Sequence, residues 1–138
     1  MSSAATTVRR PRRLTLPIFE ALTIVGLIGI AWIHILDLAD KMEETPYLGV
    51  AYIGLIAGCV AAVLFLARRD RRGFLLAGGL AAATFLGYVL SRTTGLPAAT
   101  DDIGNWTESI GVWSLIFEGA VVALSAGALS RGFRSDAA

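Results

Sequence analysis

The sequence predicts an all-α protein, an antiparallel four-helix transmembrane bundle with both ends of the chain on the cytoplasmic side. Three observations carry this. Hydrophobic residues make up 55% of the 138 residues, above the share expected of a soluble domain. They gather in four blocks of roughly 19–23 residues each, the length a helix needs to cross about 30 Å of hydrocarbon. The arginines fall on alternate connections between those blocks. Barrel strands would be about half that length and would alternate in polarity, which these blocks do not.

The elements follow in order. Residues 1–15 hold Arg9, Arg10, Arg12 and Arg13 and are expected to be a disordered basic tail. The first span is expected over residues 16–38. It is too long for the apolar core of a signal peptide, and no small-x-small cleavage site follows it cleanly. The next connection is acidic, with Asp37, Asp40, Glu43 and Glu44. It ends in Thr45-Pro46, a capping residue followed by proline at the first helical position. The second span is expected over 47–67 and the third over 73–91. The turn between them, Arg68-Arg69-Asp70-Arg71-Arg72, is too short for anything but antiparallel neighbours. The longest connection, about 92–107, carries Gly95, Pro97, Asp101, Asp102 and Gly104. Asn105 with Glu108 three residues on resembles a capping arrangement for the fourth span, expected over 108–130. Trp106 and Trp113 fit an interfacial aromatic belt. Residues 131–138, with Arg131 and Arg134, form a second tail.

Orientation follows from the charges. Both tails and the turn after the second span are rich in arginine, whereas the other two connections hold only Lys41 and Arg92. Positive charge stays cytoplasmic, so the expected location is the cell membrane, with the acidic connections facing outward.

Helices in lipid associate through close packing of small residues. Candidate contact faces are Gly54, Gly58 and Ala62; Gly79, Ala83 and Gly87; Gly119, Ala123 and Gly127; and the shorter pair Gly26 and Gly29. Each is read as an internal face of the bundle, with a seam to a second copy as the alternative.

Polar residues within the spans need a reason, because an ionisable group in hydrocarbon costs about 2.5–3.5 kcal/mol on insertion scales. Glu118 lies about 15 Å into the fourth span and shares a helical face with Gly111, Ser114 and Ser125. Glu20, Thr23, His34 and Asp37 form a stripe on the first span, and the spacing lets the His34 imidazole bond the Asp37 carboxylate. The third span offers Thr84, Tyr88 and Ser91, the second Tyr52 and Cys59. Four such stripes point at one another and predict a polar seam opening towards the acidic face. The plain alternative is that Glu118 and Glu20 serve assembly, that His34 is a satisfied polar residue, and that the loop acids are a solvated surface.

Several functions are excluded or disfavoured. The chain has no Walker loop, dinucleotide fingerprint, zinc-spaced Cys/His set or serine nucleophile elbow, and nothing points to nucleic acid. The lone Cys59 forms no intrachain disulfide. With one histidine, and with Met1 and Met42 both outside the spans, bis-histidine haem ligation within one chain is ruled out; a homodimer sharing His34 is the remaining route. No inverted repeat is evident, and four spans are few for a transporter that does not oligomerise.

Three segments carry a resemblance: Glu44-Thr45-Pro46-Tyr47-Leu48-Gly49, the run from Gly87 to Pro97, and Trp106 through Glu118 with Gly111, Ser114 and Leu115. They resemble uncharacterised small four-helix integral membrane proteins of actinobacteria. That group has no assigned activity, so the resemblance implies none. It implies that residues 88–97 and the face from Glu108 to Glu118 form one unit, with Arg92 paired to an outer acid such as Asp37 or Glu108.

Three readings of function follow. The first is a non-enzymatic bundle binding a small ligand or metal ion near its outer face, with His34, Asp37, Tyr88, Arg92, Ser114 and Glu118 as ligand-binding candidates. His34, Asp37 and Glu118 are the metal candidates, and the cofactor is left open. The second is an accessory subunit of a membrane complex or homo-oligomer. The third is a proton or ion pathway along Glu20, Thr84, Glu118 and His34. Catalysis is not expected, because no nucleophile, base and orienting group can be assembled.

Overall fold

A computed structural model describes residues 15–136, with side-chain surroundings over 16–131. Arg9, Arg10, Arg12, Arg13 and the side chain of Arg134 lie outside what is described. The helices are α1 (Thr15–Leu36), α2 (Leu38–Glu44), α3 (Pro46–Ala67), α4 (Arg72–Thr93) and α5 (Ser109–Asp136). Two boundaries differ from expectation. α1 ends at Leu36, and after Asp37 the acidic connection is itself a short helix, α2. Residues beyond Ser130, read as a tail, continue α5 to Asp136.

Each long helix buries one stripe at the spacing of 3.6 residues per turn. On α1 the stripe is Thr23, Gly26, Leu27, Ile30 and His34. On α3 it includes Leu55, Cys59, Ala62 and Leu66. On α4 it is Gly73, Phe74, Ala77, Ala81 and Arg92. On α5 it is Gly111, Ser114, Glu118, Val121, Ser125 and Ala128. The opposite faces are also apolar. Ile18, Leu22, Val25, Ile28 and Trp32 of α1 are each at least half exposed. In water such a surface would be an aggregation hazard; in lipid it is the solvated face. Four helices are long and apolar enough to cross a membrane, and the chain is a multi-pass membrane protein.

The long helices form a ring in which α1 neighbours α3 and α5, and α4 neighbours the same two. Neighbours run antiparallel. Gly26 lies against Val121, Gly29 against the Phe117 ring and Gly127 against the Phe19 ring, so α1 descends as α5 rises. Leu66 meets Gly73, and further along Leu80 meets Gly58.

The small-residue faces are only partly as expected. Gly26, Gly29, Gly58, Ala62 and Gly127 do sit in close contacts. The triplet Gly79, Ala83 and Gly87 does not. A Cβ on Gly79 or Gly87 would meet nothing within 4 Å, and Gly79 and Ala83 are exposed. The α4 packing stripe runs instead through Gly73, Ala77 and Gly78, with Gly78 against Ser125. Gly54 also faces open space. Thus α3 and α4 are close at the end bearing their turn and part towards the other end.

At the turn end, Arg69 takes a left-handed conformation (φ 58°). The Asp70 amide donates to the Phe65 carbonyl at 2.9 Å and the Arg69 amide to Leu66 at 2.8 Å. This is a Schellman close of α3, with arginine where glycine is usual. At the opposite, loop end, the connection between α4 and α5 folds over the bundle. The Gly104 amide donates to the Arg92 carbonyl at 2.9 Å, and the Tyr47 hydroxyl donates to the Pro97 carbonyl at 2.7 Å. Thr45 is the N-cap of α3 and Pro46 its first residue, as expected, but Thr45 makes no side-chain cap bond, and the Glu108 carboxylate turns to Arg92 instead of back to Asn105.

Candidate functional site: a polar cavity at the loop end

The structure is best read as layers, one residue from each long helix. One layer is His34, Leu55, Thr84 and Glu118, all on the wall of a cavity of about 380 Å³. Above it, towards the loop end, come Asp37 and Tyr52, Tyr88, and Ser114 with Gly111; Arg92 stands higher still. One helical turn in the other direction lie Ile30, Cys59, Ala81 and Val121, all buried. The next layer, Leu27, Ala62 and Ala77 with the Ser125 side chain from α5, is buried too. The cavity therefore ends against an apolar floor.

All six ligand-binding candidates, His34, Asp37, Tyr88, Arg92, Ser114 and Glu118, line this one cavity. The expected seam, however, does not run the length of the bundle. Ser125 is buried in the layer of Leu27 and Ala77, against Gly78, and Thr23 one turn further on, and Glu20 and Cys59 are not on the cavity wall.

Glu118 is 1% exposed. Its Oε1 accepts the Ser114 hydroxyl at 2.7 Å, one turn away on the same helix. Its Oε2 has no hydrogen-bond partner. On the same wall the Tyr88 hydroxyl and Arg92 Nε and Nη1 also lack one, although Nη1 is ion-paired to Asp102 and the guanidinium lies against Tyr88. Buried polar atoms are normally bonded, so the Glu118 oxygen, an acceptor with no cation beside it, stands out.

His34 does not bond Asp37. Its Nδ1 donates to the Ile30 carbonyl at 2.8 Å, and its ring meets Tyr52 edge to face at 4.6 Å. Tyr52 supplies the partner instead, donating to Asp37 Oδ2 at 3.2 Å. The backbone stays helical through Asp37, whose amide donates to the Ile33 carbonyl at 3.2 Å; the pair is not made because the His34 Nδ1 proton goes to Ile30 and the Tyr52 hydroxyl takes the carboxylate. Burial pushes the Asp37 carboxyl above its ordinary value, against the pull of Lys41 and the Tyr52 hydroxyl. Burial also works against the Lys41 charge, but the hydrogen bond to Glu44 at 2.9 Å and the nearby Asp37 carboxylate outweigh it and raise that ammonium's pKa.

Arg92 is 5% exposed and neutralised twice. Its Nη1 stands 2.6 Å from Asp102 Oδ1, its Nη2 pairs with Glu108, and the guanidinium lies 4.7 Å over the Tyr88 ring. A pair to Glu108 was expected; Asp102 takes the place offered to Asp37. Tyr52, Lys41, Asp102 and Glu108 complete the polar wall. The last three lie in connections, where helical periodicity gives no signal.

The cavity is amphipathic. Leu48, Ala51, Leu55, Leu80 and Ala83 form its apolar side, and Ala51 and Ala83 are exposed. The wall thus reaches the lipid-facing surface where α3 and α4 part. Among the described residues, no three of His, Cys, Asp and Glu stand close enough to hold a metal ion, so His34, Asp37 and Glu118 are not gathered into a metal centre. Compared with known protein families, curated proteins and solved structures, the chain matches none.

Proposed function

We propose that the chain is a non-catalytic membrane protein that binds a small ligand in the loop-end cavity, with that end facing outward. The observation that carries this is the convergence of His34, Asp37, Tyr88, Arg92, Ser114 and Glu118 on one cavity of about 380 Å³. That volume is at the lower end of small-molecule sites, which run about 300–1,000 Å³, and the mix of apolar wall and few polar groups is typical of them. The orientation rests on the arginines. Arg68, Arg69, Arg71 and Arg72 cluster at the turn end. At the loop end Arg92 is neutralised by two carboxylates and Lys41 is paired with Glu44, so positive charge marks the turn end as cytoplasmic.

Catalysis has little support. Ser114 donates to Glu118 rather than to a histidine, and His34 spends Nδ1 on a backbone carbonyl. The buried layers of Ile30, Cys59, Ala81 and Val121, then Leu27, Ala62 and Ala77, oppose a continuous ion pathway.

Native mass spectrometry of protein gently extracted from its own membrane, with metal analysis and an absorbance spectrum of the same sample, tests this reading. A small molecule retained at one per chain, and lost in Glu118→Gln, is expected. An apo mass together with a stoichiometric co-purifying protein would overturn the ligand reading in favour of an accessory subunit.

A further inference from the structure

The cavity's charge says what kind of ligand it takes. Its wall carries four carboxylates, Asp37, Asp102, Glu108 and Glu118, against two cations, Lys41 and Arg92. Arg92 is held between Asp102 and Glu108, and Lys41 is ion-paired to Glu44 at 2.9 Å. Asp37 shares the field of Lys41 with Glu44 and accepts the Tyr52 hydroxyl, and no cation is paired with Glu118 among the described residues. Arg92 keeps an unpartnered Nε, but its charge is already offset by two carboxylates, so an anionic ligand would meet a wall with an excess of negative charge, and drawing Arg92 away would leave those carboxylates uncompensated. A hydrogen-bond donor meets the opposite situation, because the buried Oε2 of Glu118 has no donor at all.

Size and wall chemistry narrow the class further. A bare metal ion is a poor match, since no three ligating side chains come together among the described residues. The cavity has room for about a dozen waters at ~30 Å³ each. Its α3–α4 side is Leu48, Ala51, Leu55, Leu80 and Ala83, which offers dispersion contacts and no polar partner. The Tyr52 ring adds an aromatic face of the kind that attracts organic cations.

We propose that the cavity takes an organic amine in its protonated form, its N–H groups directed to Glu118 and Asp37 and its apolar body against the α3–α4 wall. The proposal rests on the ligand-binding reading above and names the class of that ligand. A primary or secondary ammonium fits better than a quaternary one, because only the former donates to an orphan acceptor. Ala51 and Ala83, exposed on the apolar side of the cavity, give a lipophilic amine a side it can approach from the lipid.

The test uses three water-soluble probes of nearly equal size that differ in charge: 2-phenylethylamine, 2-phenylethanol and 3-phenylpropionate. Binding to the full chain in lipid nanodiscs is measured by titration calorimetry at neutral pH. The amine is expected to bind saturably and at least about tenfold more tightly than the alcohol, a difference of about 1.4 kcal/mol, with the carboxylate weakest. Glu118→Gln should erase most of the preference of amine over alcohol, and Asp37→Asn part of it. The wild-type comparison stands even where a variant fails to fold. Equal or tighter binding of the alcohol or carboxylate would overturn the amine class and leave the cavity as a binding site for another ligand. No binding by any probe would also overturn it; a molecule retained in the native mass measurement would then show that the binding reading survives without this ligand class.

Discussion

The two halves of this bundle are built from the same four helices and solve opposite problems. In the turn-end half, α3 and α4 meet through Leu66 on Gly73, and α1 and α5 through Gly26 on Val121 and Gly127 on Phe19. Small residues let backbones approach, and the layers between are apolar and buried. In the loop-end half α3 and α4 part, with Gly54 and Gly87 facing open space, while α4 and α5 stay in contact through Tyr88 on Gly111; His34, Tyr88, Arg92, Ser114 and Glu118 occupy the stripe that Leu27, Ala77, Ala81 and Val121 fill below. Because lipid offers no hydrophobic drive for helices to associate, the packed half holds the bundle together. The connections close the other half, through Arg92 to Asp102 and Glu108 and through Tyr47 to Pro97.

The sharpest way to break this contrast is to put the same side chain into each half. Gly26→Leu drives a branched side chain into the buried Val121. Overpacking of this kind costs about 1–3 kcal/mol, and the upper end is expected because both neighbours are fixed on helices. Gly87→Leu meets no atom within 4 Å of its Cβ and should change stability by less than about 0.5 kcal/mol, while filling cavity space and weakening ligand binding. Unfolding of both variants in mixed micelles reads the difference; equal losses would mean that the halves are packed alike.

Arg92→Gln comes next. It removes the cation between Asp102 and Glu108 and frees the long connection from the end of α4. Breaking a fully buried pair costs about 3–5 kcal/mol, but Asp102 and Glu108 are 35% and 41% exposed, so solvent screening brings the expected loss to about 1–2 kcal/mol. Hydrogen exchange should rise in residues 94–108 and stay unchanged in the turn-end helices. A loss of protection throughout would show one cooperative unit rather than two halves.

The smallest effect is that of pH on Asp37. Its pKa in the folded protein lies above the ordinary 3.8, so the folded state holds this proton more tightly than the unfolded chain does. Its contribution to stability is therefore fully present below about pH 3.8 and is lost as pH rises through the higher folded value. Asp37→Asn keeps an acceptor for the Tyr52 hydroxyl and has no such proton to lose. At neutral pH the variant should be at least as stable as the wild type, with a flatter pH profile above the ordinary aspartate range. A steeper profile would contradict the environment described for Asp37.

The packed half was largely legible in the sequence, and so was the gathering of the six candidate residues on one cavity wall. Four apolar blocks specified four helices, and the 3.6-residue repeat put His34, Ser114, Glu118 and the Tyr88–Arg92 run on inward faces. What the repeat could not show is which partner a side chain takes. The His34 Nδ1 proton goes back to the Ile30 carbonyl, and Tyr52, from a different helix, supplies the donor for Asp37. Nor does periodicity tell an inward small residue from an outward one, so Gly79, Ala83 and Gly87 read as a contact face although Gly79 and Ala83 are exposed and Gly87 faces the cavity. Lys41, Asp102 and Glu108 enter the site from connections whose paths depend on tertiary contacts such as Gly104 on the Arg92 carbonyl.

The central claim is that water and ligand reach the loop-end half and stop at the layer of Ile30, Cys59, Ala81 and Val121. The native cysteine lies in that layer, which makes it the probe. Reaction with a trimethylammonium methanethiosulfonate should be compared between the wild type, whose only thiol is Cys59, and the Cys59→Ala, Ser114→Cys double variant. The account predicts rapid modification at position 114 and none at Cys59 in the folded protein. Modification of Cys59 as fast as of position 114, or of Cys59 alone, would contradict it.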